Sequence, residues 1–228
     1  MIWRMGMEVA QAVASRRSVR GFLADPVDPA LLVELATRAG RSATGGNLQP
    51  WHIDIVQGDA IAELKAIMQG KLARREREEP GYDIYPREMG DHHRARSFQV
   101  GEQLYGHLGI PREDKAARLQ WFARNFAFFG APAAYFCTVD RRMGPPQWAD
   151  CGMFLQSLML LAVEAGLATC AQECWAMYPQ TVETFLGCPP ERMLFCGLAI
   201  GREDPAEPAN RLRTERAEAG EWLRVLGS

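Results

Sequence analysis

Residues 44–56 read TGGNLQPWHIDIV, a small-residue loop that leads directly into an alternating strand. Trp51, Ile53 and Ile55 fall on one face of this strand. The glycines of the loop allow its backbone to approach a flat ligand closely. Asn47 and Gln49 each carry donor and acceptor groups that can bind ring carbonyls and nitrogens. The alternative interpretation is an ordinary helix-to-strand turn, and Trp51 is expected in the core in either case.

Helices and strands are mixed in the segments around this stretch. A helix is predicted between Asp28, a capping residue, and Gly40, a residue that ends helices. A longer apolar helix is predicted over about residues 147–165. Short apolar runs predict further strands at 133–139, 167–174 and 193–200. Because no regular β-α-β alternation is visible, the pattern favours an α+β fold over a doubly wound sheet.

Composition and charge exclude several classes of protein. The chain has 228 residues, of which 47% are apolar and 24% charged, values typical of a globular protein with one domain spanning 1–228. Lys and Arg number 26 against 28 Asp and Glu, a formal net charge of −2. A broad nucleic-acid-binding surface needs an excess of cations, so we expect no nucleic-acid partner.

Neither a membrane span nor a secretory signal is predicted. The first residues, MIWRMGME, lack an apolar core of sufficient length. Polar residues interrupt the most apolar stretch, 153–171, which therefore indicates a buried helix. We expect a cytoplasmic protein. Its six cysteines form no C-x-x-C pair, so we expect reduced, mostly buried thiols and no metal site.

A basic segment lies near the start of the chain, where residues 16–20 read RRSVR. Arginine can bind a phosphate group through two parallel hydrogen bonds, which makes this segment a candidate phosphate site. The alternative is a solvated basic helix end that offsets the helix dipole. Among the familiar motifs, the sequence contains no Walker loop, no G-x-G-x-x-G after a strand and no G-x-S-x-G.

Taken together, the basic segment and the loop resemble the FMN-dependent nitroreductase family. The segment matches its R-R-S-x-R-x-F pattern at 16–22, and the loop matches its N-x-Q-P-W-H pattern at 47–52. The resemblance continues through 129–132, 166–170, 196–201 and 210–216. It implies an α+β fold with a mainly antiparallel sheet flanked by helices.

The resemblance implies which residues bind the phosphate and ribityl chain of FMN. Arg16, Arg17 and Ser18 match the family's basic segment, and Arg216 matches a further phosphate-binding arginine. Arg20 matches a cation near the N1–O2 edge of the flavin. A guanidinium there would stabilise the negative charge of the reduced ring.

Other residues match contacts with the isoalloxazine ring. The resemblance implies Thr44, Gly45 and Asn47, with Gln49, on a loop that a partner subunit lays against the ring, and Glu173 and Cys174 near N5. Cys174 departs from the family, where glycine is common. Arg124 or Asn125 corresponds to another flavin contact, and the sequence leaves open which of them does.

The implied activity is hydride transfer from NADH or NADPH to FMN, followed by reduction of a nitroaromatic or quinone acceptor in ping-pong order. The flavin carries this chemistry at N5, so no side chain is predicted as a catalytic residue. Two alternatives stay open. One is a flavin-dependent dehalogenase or flavin-fragmenting enzyme on the same scaffold, and the other is a redox sensor that binds flavin without turnover.

The resemblance also implies a homodimer with FMN at the subunit interface. An arm at 202–228 carries apolar residues near its end, and these fit a segment that reaches the partner. Residues 60–120 carry no motif that we can interpret. This variable region includes a charged stretch at 71–95, for which we expect an exposed loop and helix and a candidate lid.

Overall fold

The computed structural model describes residues 6–227, so the predictions that rest on residues 1–5 and 228 lie outside the described part. Within this range the sheet contains four strands, β1 (His52–Gln57), β2 (Ala133–Asp140), β3 (Ala168–Gln172) and β4 (Arg192–Gly201). They lie in the order β1-β2-β4-β3, and every neighbouring pair is antiparallel. This arrangement confirms the predicted α+β fold with an antiparallel sheet.

Helices flank this sheet. The α-helices of the described residues are α1 (Val9–Ser15), α2 (Pro29–Ala39), α3 (Gly58–Ala73), α4 (Asp91–His107), α5 (Lys115–Ala123), α6 (Pro145–Glu164), α7 (Pro179–Leu186) and α8 (Ala219–Trp222). Short 3₁₀ segments lie at Gly45–Asn47, Arg124–Gly130, Glu173–Met177 and Pro208–Arg211.

Strand β2 separates two apolar clusters. Its side chains alternate between the faces of the sheet. Phe136 packs on one face with residues of α3 and of the 124–130 segment. Tyr135 packs on the other face with residues of α2 and α6, and its hydroxyl donates a hydrogen bond to the carbonyl of Leu32 (2.8 Å). Burial of an aromatic side chain such as Phe136 contributes about 1.5–3 kcal/mol to stability.

The predicted helix ends agree with the structure. The Asp28 carboxylate accepts a hydrogen bond from the backbone nitrogen of Ala30 (2.9 Å), and Gly40 follows the last residue of α2. Gly166 follows α6 and has a φ of 75°, a value that favours glycine. These local signals explain why α2 and α6 were predictable.

The region without an interpretable motif contains helix α3, which buries Ile61, Leu64 and Met68 in the core, then an irregular segment and the exposed helix α4. Helix α3 ends at Ala73, residues 74–90 contain no helix or strand, and α4 follows. Helix α4 has no buried residue. This agrees with the exposed loop and helix expected at 71–95, and the role of the region as a lid stays a prediction.

The C-terminal arm, described to residue 227, lies along α4 of its own chain. Glu221 forms an ion pair with Arg96 (2.7 Å), and Glu215 accepts a hydrogen bond from Gln99 (3.1 Å). The apolar side chains near its end are between 56% and 74% exposed, namely Trp222, Leu223, Val225 and Leu226. Because the single chain leaves these residues uncovered, contact with a partner stays the prediction for this arm.

No helix within residues 6–227 is long and apolar enough to cross a membrane. The same residues contain no group of three or more His, Cys, Asp or Glu side chains that could hold a metal ion. All six cysteines are free thiols.

Candidate functional site

The basic segment 16–20 lies beside strand β3 in extended conformation. The backbone nitrogen of Val19 donates a hydrogen bond to the carbonyl of Thr169 (2.9 Å), and the Val19 side chain is buried. Side chains alternate along such a segment, so every second residue shares a side. The side opposite Val19 carries three of the predicted cofactor contacts, Arg16, Ser18 and Arg20.

Asn210, at the start of the C-terminal arm, ties this arm to the basic segment. Its side-chain oxygen accepts a hydrogen bond from the backbone nitrogen of Arg20 (2.7 Å). Its side-chain nitrogen donates to the carbonyls of Gly21 and Asp204 (2.9 Å each). Asn210 is buried, so this network links both ends of the chain in one fixed arrangement.

Arg16 and Arg216 are close enough for their charges to interact. Burial lowers the pKa of Arg16, and the nearby positive charge of Arg216 lowers it further. Arg216 donates hydrogen bonds to the hydroxyl of Thr214 (2.8 Å) and to backbone carbonyls. No carboxylate within residues 6–227 forms an ion pair with either arginine. Glu203 pairs with Arg17, and Glu207 pairs with Arg124. Two nearby guanidiniums without an acidic partner suit a phosphate group.

Arg17 lies apart from this pair. Its guanidinium forms an ion pair with Glu203, and its Nε is buried without a hydrogen-bond partner. It lines a separate small cavity of about 170 Å³ together with Val19, Leu167 and Thr169. Arg17 therefore lies on the Val19 side of the basic segment, opposite Arg16, Ser18 and Arg20.

A cavity of about 430 Å³ has Arg20 in its wall. Glu173 and Cys174, which the sequence predicts near the flavin ring, lie in its wall beside Arg20 and Asn125. Its aromatic wall consists of Tyr85, Tyr105, Trp121, Phe122 and Phe129. A mostly apolar cavity of this size with a few polar groups suits a small flat ligand.

Gln172 fixes the polar edge of the cavity. This residue is buried, and its side-chain nitrogen donates hydrogen bonds to the backbone oxygen (2.8 Å) and the side-chain oxygen (3.2 Å) of Asn125. Of the two candidates that the sequence left open, Asn125 lines the cavity. Arg124 is paired with Glu207 (2.9 Å) and lies 4.2 Å from the ring centre of Trp121.

Trp175 fixes the turn that carries Glu173 and Cys174. Its indole is fully buried against Gly197 of β4. A Cβ at position 197 would overlap the indole ring, so glycine is required there for close approach.

Two consecutive residues of the cavity region have a strained backbone. Phe128 and Phe129 both have a φ of 53°, in the left-handed region, and both side chains are buried. Such a conformation costs about 1–3 kcal/mol per residue and occurs often at functional sites. The resemblance to the family includes 129–132, but the sequence carried no signal for this strain.

The thiols beside the cavity are poor nucleophiles. Burial raises the pKa of Cys170 to about 11, and burial raises the pKa of Cys174 further above its ordinary value. Both groups are therefore protonated at neutral pH, whereas thiol catalysis requires the thiolate. The prediction that no side chain acts as a catalytic residue stays a prediction.

The loop predicted to contact the ring lies elsewhere in the single chain. The Thr44 hydroxyl and the Gly45 backbone nitrogen donate to the Asp150 carboxylate of α6 (3.0 and 3.2 Å). Asn47 and Gln49 are exposed, and their φ values of 57° and 49° lie in the left-handed region. None of these four residues lines the cavity.

Sequence reasoning missed most of the cavity wall. Gln172 and Trp121 line it, yet no local motif distinguishes them from core residues, and the sequence named Asn125 only as an alternative to Arg124. The available signal was indirect: Trp121 and Phe122 belong to an aromatic-rich stretch at 121–129 that reads WFARNFAFF.

Comparison with known proteins gives consistent matches along most of the chain. A model of the nitroreductase family matches residues 13–202. The chain is 33% identical to the 4-nitrobenzoate reductase of Pseudomonas putida over 215 residues, which covers 94% of each chain.

Solved structures match over nearly the whole chain. The FMN- and NADPH-dependent nitroreductase NfnB from sphigopyxis sp. strain HMH is 46% identical, with a TM-score of 0.93 over 97% of this chain and 100% of that one. The FMN-dependent NfnB from Mycobacterium smegmatis, solved in complex with NADPH, is 27% identical, with a TM-score of 0.90 over 96% of this chain and 100% of that one.

Proposed function

The chain belongs to the nitroreductase family and is an NAD(P)H-dependent FMN oxidoreductase, and we propose that its acceptor is a nitroaromatic compound. The relatives named for their acceptors reduce 4-nitrobenzoate and nitrobenzene, which supports this choice over a halogenated ring or the flavin itself. A quinone is a second acceptor that the same cavity would accept.

The Asn210 hydrogen bonds, which join the basic segment to the C-terminal arm and so bring Arg216 within electrostatic reach of Arg16, carry the proposal. These guanidiniums have no acidic partner within residues 6–227, and an aromatic-walled cavity of about 430 Å³ lies beside Arg20 in the same basic segment. FMN combines a dianionic phosphate with a flat ring system. The residues present therefore fit this cofactor at both of its ends. We assign Arg16, Ser18 and Arg216 to the phosphate and ribityl chain.

Bound FMN supplies the electron chemistry, accepting hydride from the nicotinamide and passing electrons to the acceptor. The residues of the chain bind and orient it. Arg20 presents a positive charge to the cavity without an ion-pair partner in the described part of the chain, which suits stabilisation of negative charge on a ring edge. Glu173 and Cys174 contribute backbone groups from a turn that Trp175 holds in place.

Arg17 has a different role in this proposal. Because its guanidinium pairs with Glu203, we assign it to support of the basic segment rather than to the phosphate.

The loop at 44–49 is proposed to act in the partner subunit of a homodimer. Its exposed residues Gly45, Asn47 and Gln49 and the half-buried Thr44 lie outside the cavity of their own chain. The exposed apolar residues of the C-terminal arm give a second surface for the partner. We propose a single domain over 1–228, and the cytoplasmic location stays a prediction.

Visible absorption of the freshly purified protein tests the cofactor and the donor. We expect the two bands of an oxidised flavin, which bleach when NADPH or NADH is added without oxygen. Subsequent addition of 4-nitrobenzoate should restore both bands. Initial rates measured against NADPH at several 4-nitrobenzoate concentrations should give parallel double-reciprocal lines, as ping-pong order requires. A flavin that neither nucleotide bleaches would contradict the proposal.

A panel of acceptors tests the substrate class. Nitrobenzene, 4-nitrobenzoate, a quinone and a halogenated phenol would be compared at one concentration. We expect turnover with the nitro compounds and no halide release from the phenol. Halide release, or loss of flavin absorbance during turnover, would favour the alternative enzymes, and bleaching without any turnover would favour the sensor.

A further inference from the structure

A second cavity adjoins the flavin cavity. This groove has a volume of about 940 Å³ and shares Phe122 and Met177 with the flavin cavity as a common wall. Its apolar walls are Leu72, Pro80, Leu119, Phe126 and Tyr178. A ligand whose reactive end lies in the flavin cavity could therefore extend into the groove.

The acidic residues of the groove are already paired. Glu78 accepts hydrogen bonds from the backbone and side chain of Thr181 and lies 3.2 Å from the Lys71 ammonium. Burial alone would raise the pKa of Glu78, but the hydrogen bonds from Thr181 and Lys71 outweigh it and lower the pKa. Glu76 pairs with Lys71 (3.3 Å) and with Arg74 (2.5 Å).

The basic residues of the groove are not paired. Arg75 and Arg77 line it, and within residues 6–227 the groove carboxylates Glu76 and Glu78 pair with Lys71 and Arg74 rather than with either of them. The backbone of Arg75 has a φ of 56°, in the strained left-handed region, directly after helix α3. Arg77 is close enough to Tyr178 to oppose the rise in the pKa of that hydroxyl that burial causes. The groove thus combines an aromatic wall with two free positive charges.

We propose that this groove binds the adenosine 2′-phosphate end of NADPH, with Arg75 and Arg77 on the phosphate. The inference rests on the proposed function, because it requires the nicotinamide to bind in the flavin cavity. A 2′-phosphate carries close to two negative charges at neutral pH, which suits two guanidiniums. An adenine ring suits the walls formed by Phe126 and Tyr178. NADH lacks this phosphate, so the site discriminates between the two nucleotides.

The size of the groove favours the nucleotide over the anionic group of an acceptor. A single benzene ring with a carboxylate is far smaller than the groove of about 940 Å³. The adenosine half of a dinucleotide is larger and would occupy more of the groove, including the part beside Arg75 and Arg77.

Equilibrium binding to the FMN-loaded protein tests the site without turnover. The probes are adenosine 2′,5′-bisphosphate and AMP, which differ only in the 2′-phosphate, and calorimetry measures their affinities. We expect the bisphosphate to bind more tightly than AMP. Each of Arg75→Gln and Arg77→Gln should weaken the bisphosphate about tenfold and leave AMP unchanged. In turnover, the KM for NADPH should rise by a similar factor and the KM for NADH should not.

Arg87→Gln is the matched control. It removes the same charge from the same irregular segment, but Arg87 is 90% exposed, pairs with Asp83 and does not line the groove. If Arg87→Gln weakened binding of the bisphosphate as much as Arg75→Gln and Arg77→Gln do, the effect would come from the loss of positive charge in general. That result would overturn the proposal.

Three further results would also overturn it. First, the bisphosphate could bind no more tightly than AMP. Second, the Arg75 and Arg77 variants could raise the KM for NADH and the KM for NADPH by the same factor. Third, these variants could raise the KM for 4-nitrobenzoate without changing the KM for nitrobenzene or NADPH. In each case the proposed function would stand. Failure of both nucleotides to reduce the wild-type flavin would instead contradict both proposals.

Discussion

The flavin cavity and the loop at 44–49 are built in opposite ways. Buried Gln172 holds Asn125 at the edge of the cavity, and buried Trp175 supports the adjoining turn. The loop is exposed, and two of its non-glycine residues have a left-handed backbone. Its polar groups bond to Asp150 of their own chain rather than to a ligand site.

This difference indicates how the complete site is divided. The cavity is preorganised because its polar groups have partners within one chain, so ligand binding requires little reordering. The loop is held in an uncommon conformation without a local function that would explain it. A loop of that kind is expected to serve a surface beyond its own chain. Changes in the two regions should therefore have different consequences.

The largest expected effect concerns the phosphate group. Arg16→Ala removes the more buried of the two converging guanidiniums, and loss of its charge-assisted hydrogen bonds should weaken FMN binding about 10- to 100-fold. Arg216→Ala should weaken it less, about three- to tenfold, because Arg216 is exposed to solvent. Fluorescence titration of apoprotein with FMN measures both.

Arg142→Ala is the control for this prediction, since it removes an exposed arginine paired with Asp140 at the far end of β2. Its affinity for FMN should equal that of the wild type. Unchanged affinity in both Arg16→Ala and Arg216→Ala would mean that the phosphate lies elsewhere.

A matched pair of variants tests the contrast between the two regions. Gln172→Leu leaves the oxygens of Asn125 without their buried donor and should cost about 1–3 kcal/mol of stability. Asp150→Asn keeps an acceptor for Thr44 and should cost about 1 kcal/mol or less. For the second variant we expect the main loss in FMN affinity, because the loop no longer presents its residues to the partner correctly.

Thermal unfolding of the apoprotein and FMN titration separate these outcomes. Gln172→Leu should lower the Tm by about 2–4 °C per kcal/mol lost. The contrast breaks down if Asp150→Asn lowers the Tm as much as Gln172→Leu does, or if it leaves FMN affinity and dimer content unchanged. Sedimentation at two protein concentrations supplies the dimer content.

The sequence predicted the features that depend on local chemistry. Asp28 and Gly40 marked the ends of α2, and the continuous apolar run at 133–139 predicted the buried strand β2. The arginines of the basic segment were identifiable because phosphate binding needs that residue type at close spacing. These signals act over a few residues and do not require knowledge of the rest of the fold.

The parts that escaped prediction depend on distant contacts. The sequence could not choose between Arg124 and Asn125, because the hydrogen bond from Gln172 that holds Asn125 at the cavity joins residues 47 positions apart. The left-handed backbone of Phe128 and Phe129 is imposed by packing, since neither residue prefers it. The free state of Arg75 and Arg77 depends on Glu78 being paired with Lys71 and Thr181. No local pattern encodes such arrangements.

The smallest expected effect separates Arg17 from its neighbours in the basic segment. The double charge swap Arg17→Glu with Glu203→Arg should restore most of the stability that either single change removes, because the two side chains form one ion pair. Both are about one third exposed, so the coupling energy should be only about 0.2–1 kcal/mol. Urea unfolding of the four apoproteins measures this coupling. FMN affinity in the swapped protein should match the wild type, because Arg17 lies behind the side that carries Arg16. A large loss of FMN binding that the swap does not rescue would indicate that Arg17 binds the phosphate, as the family resemblance implies.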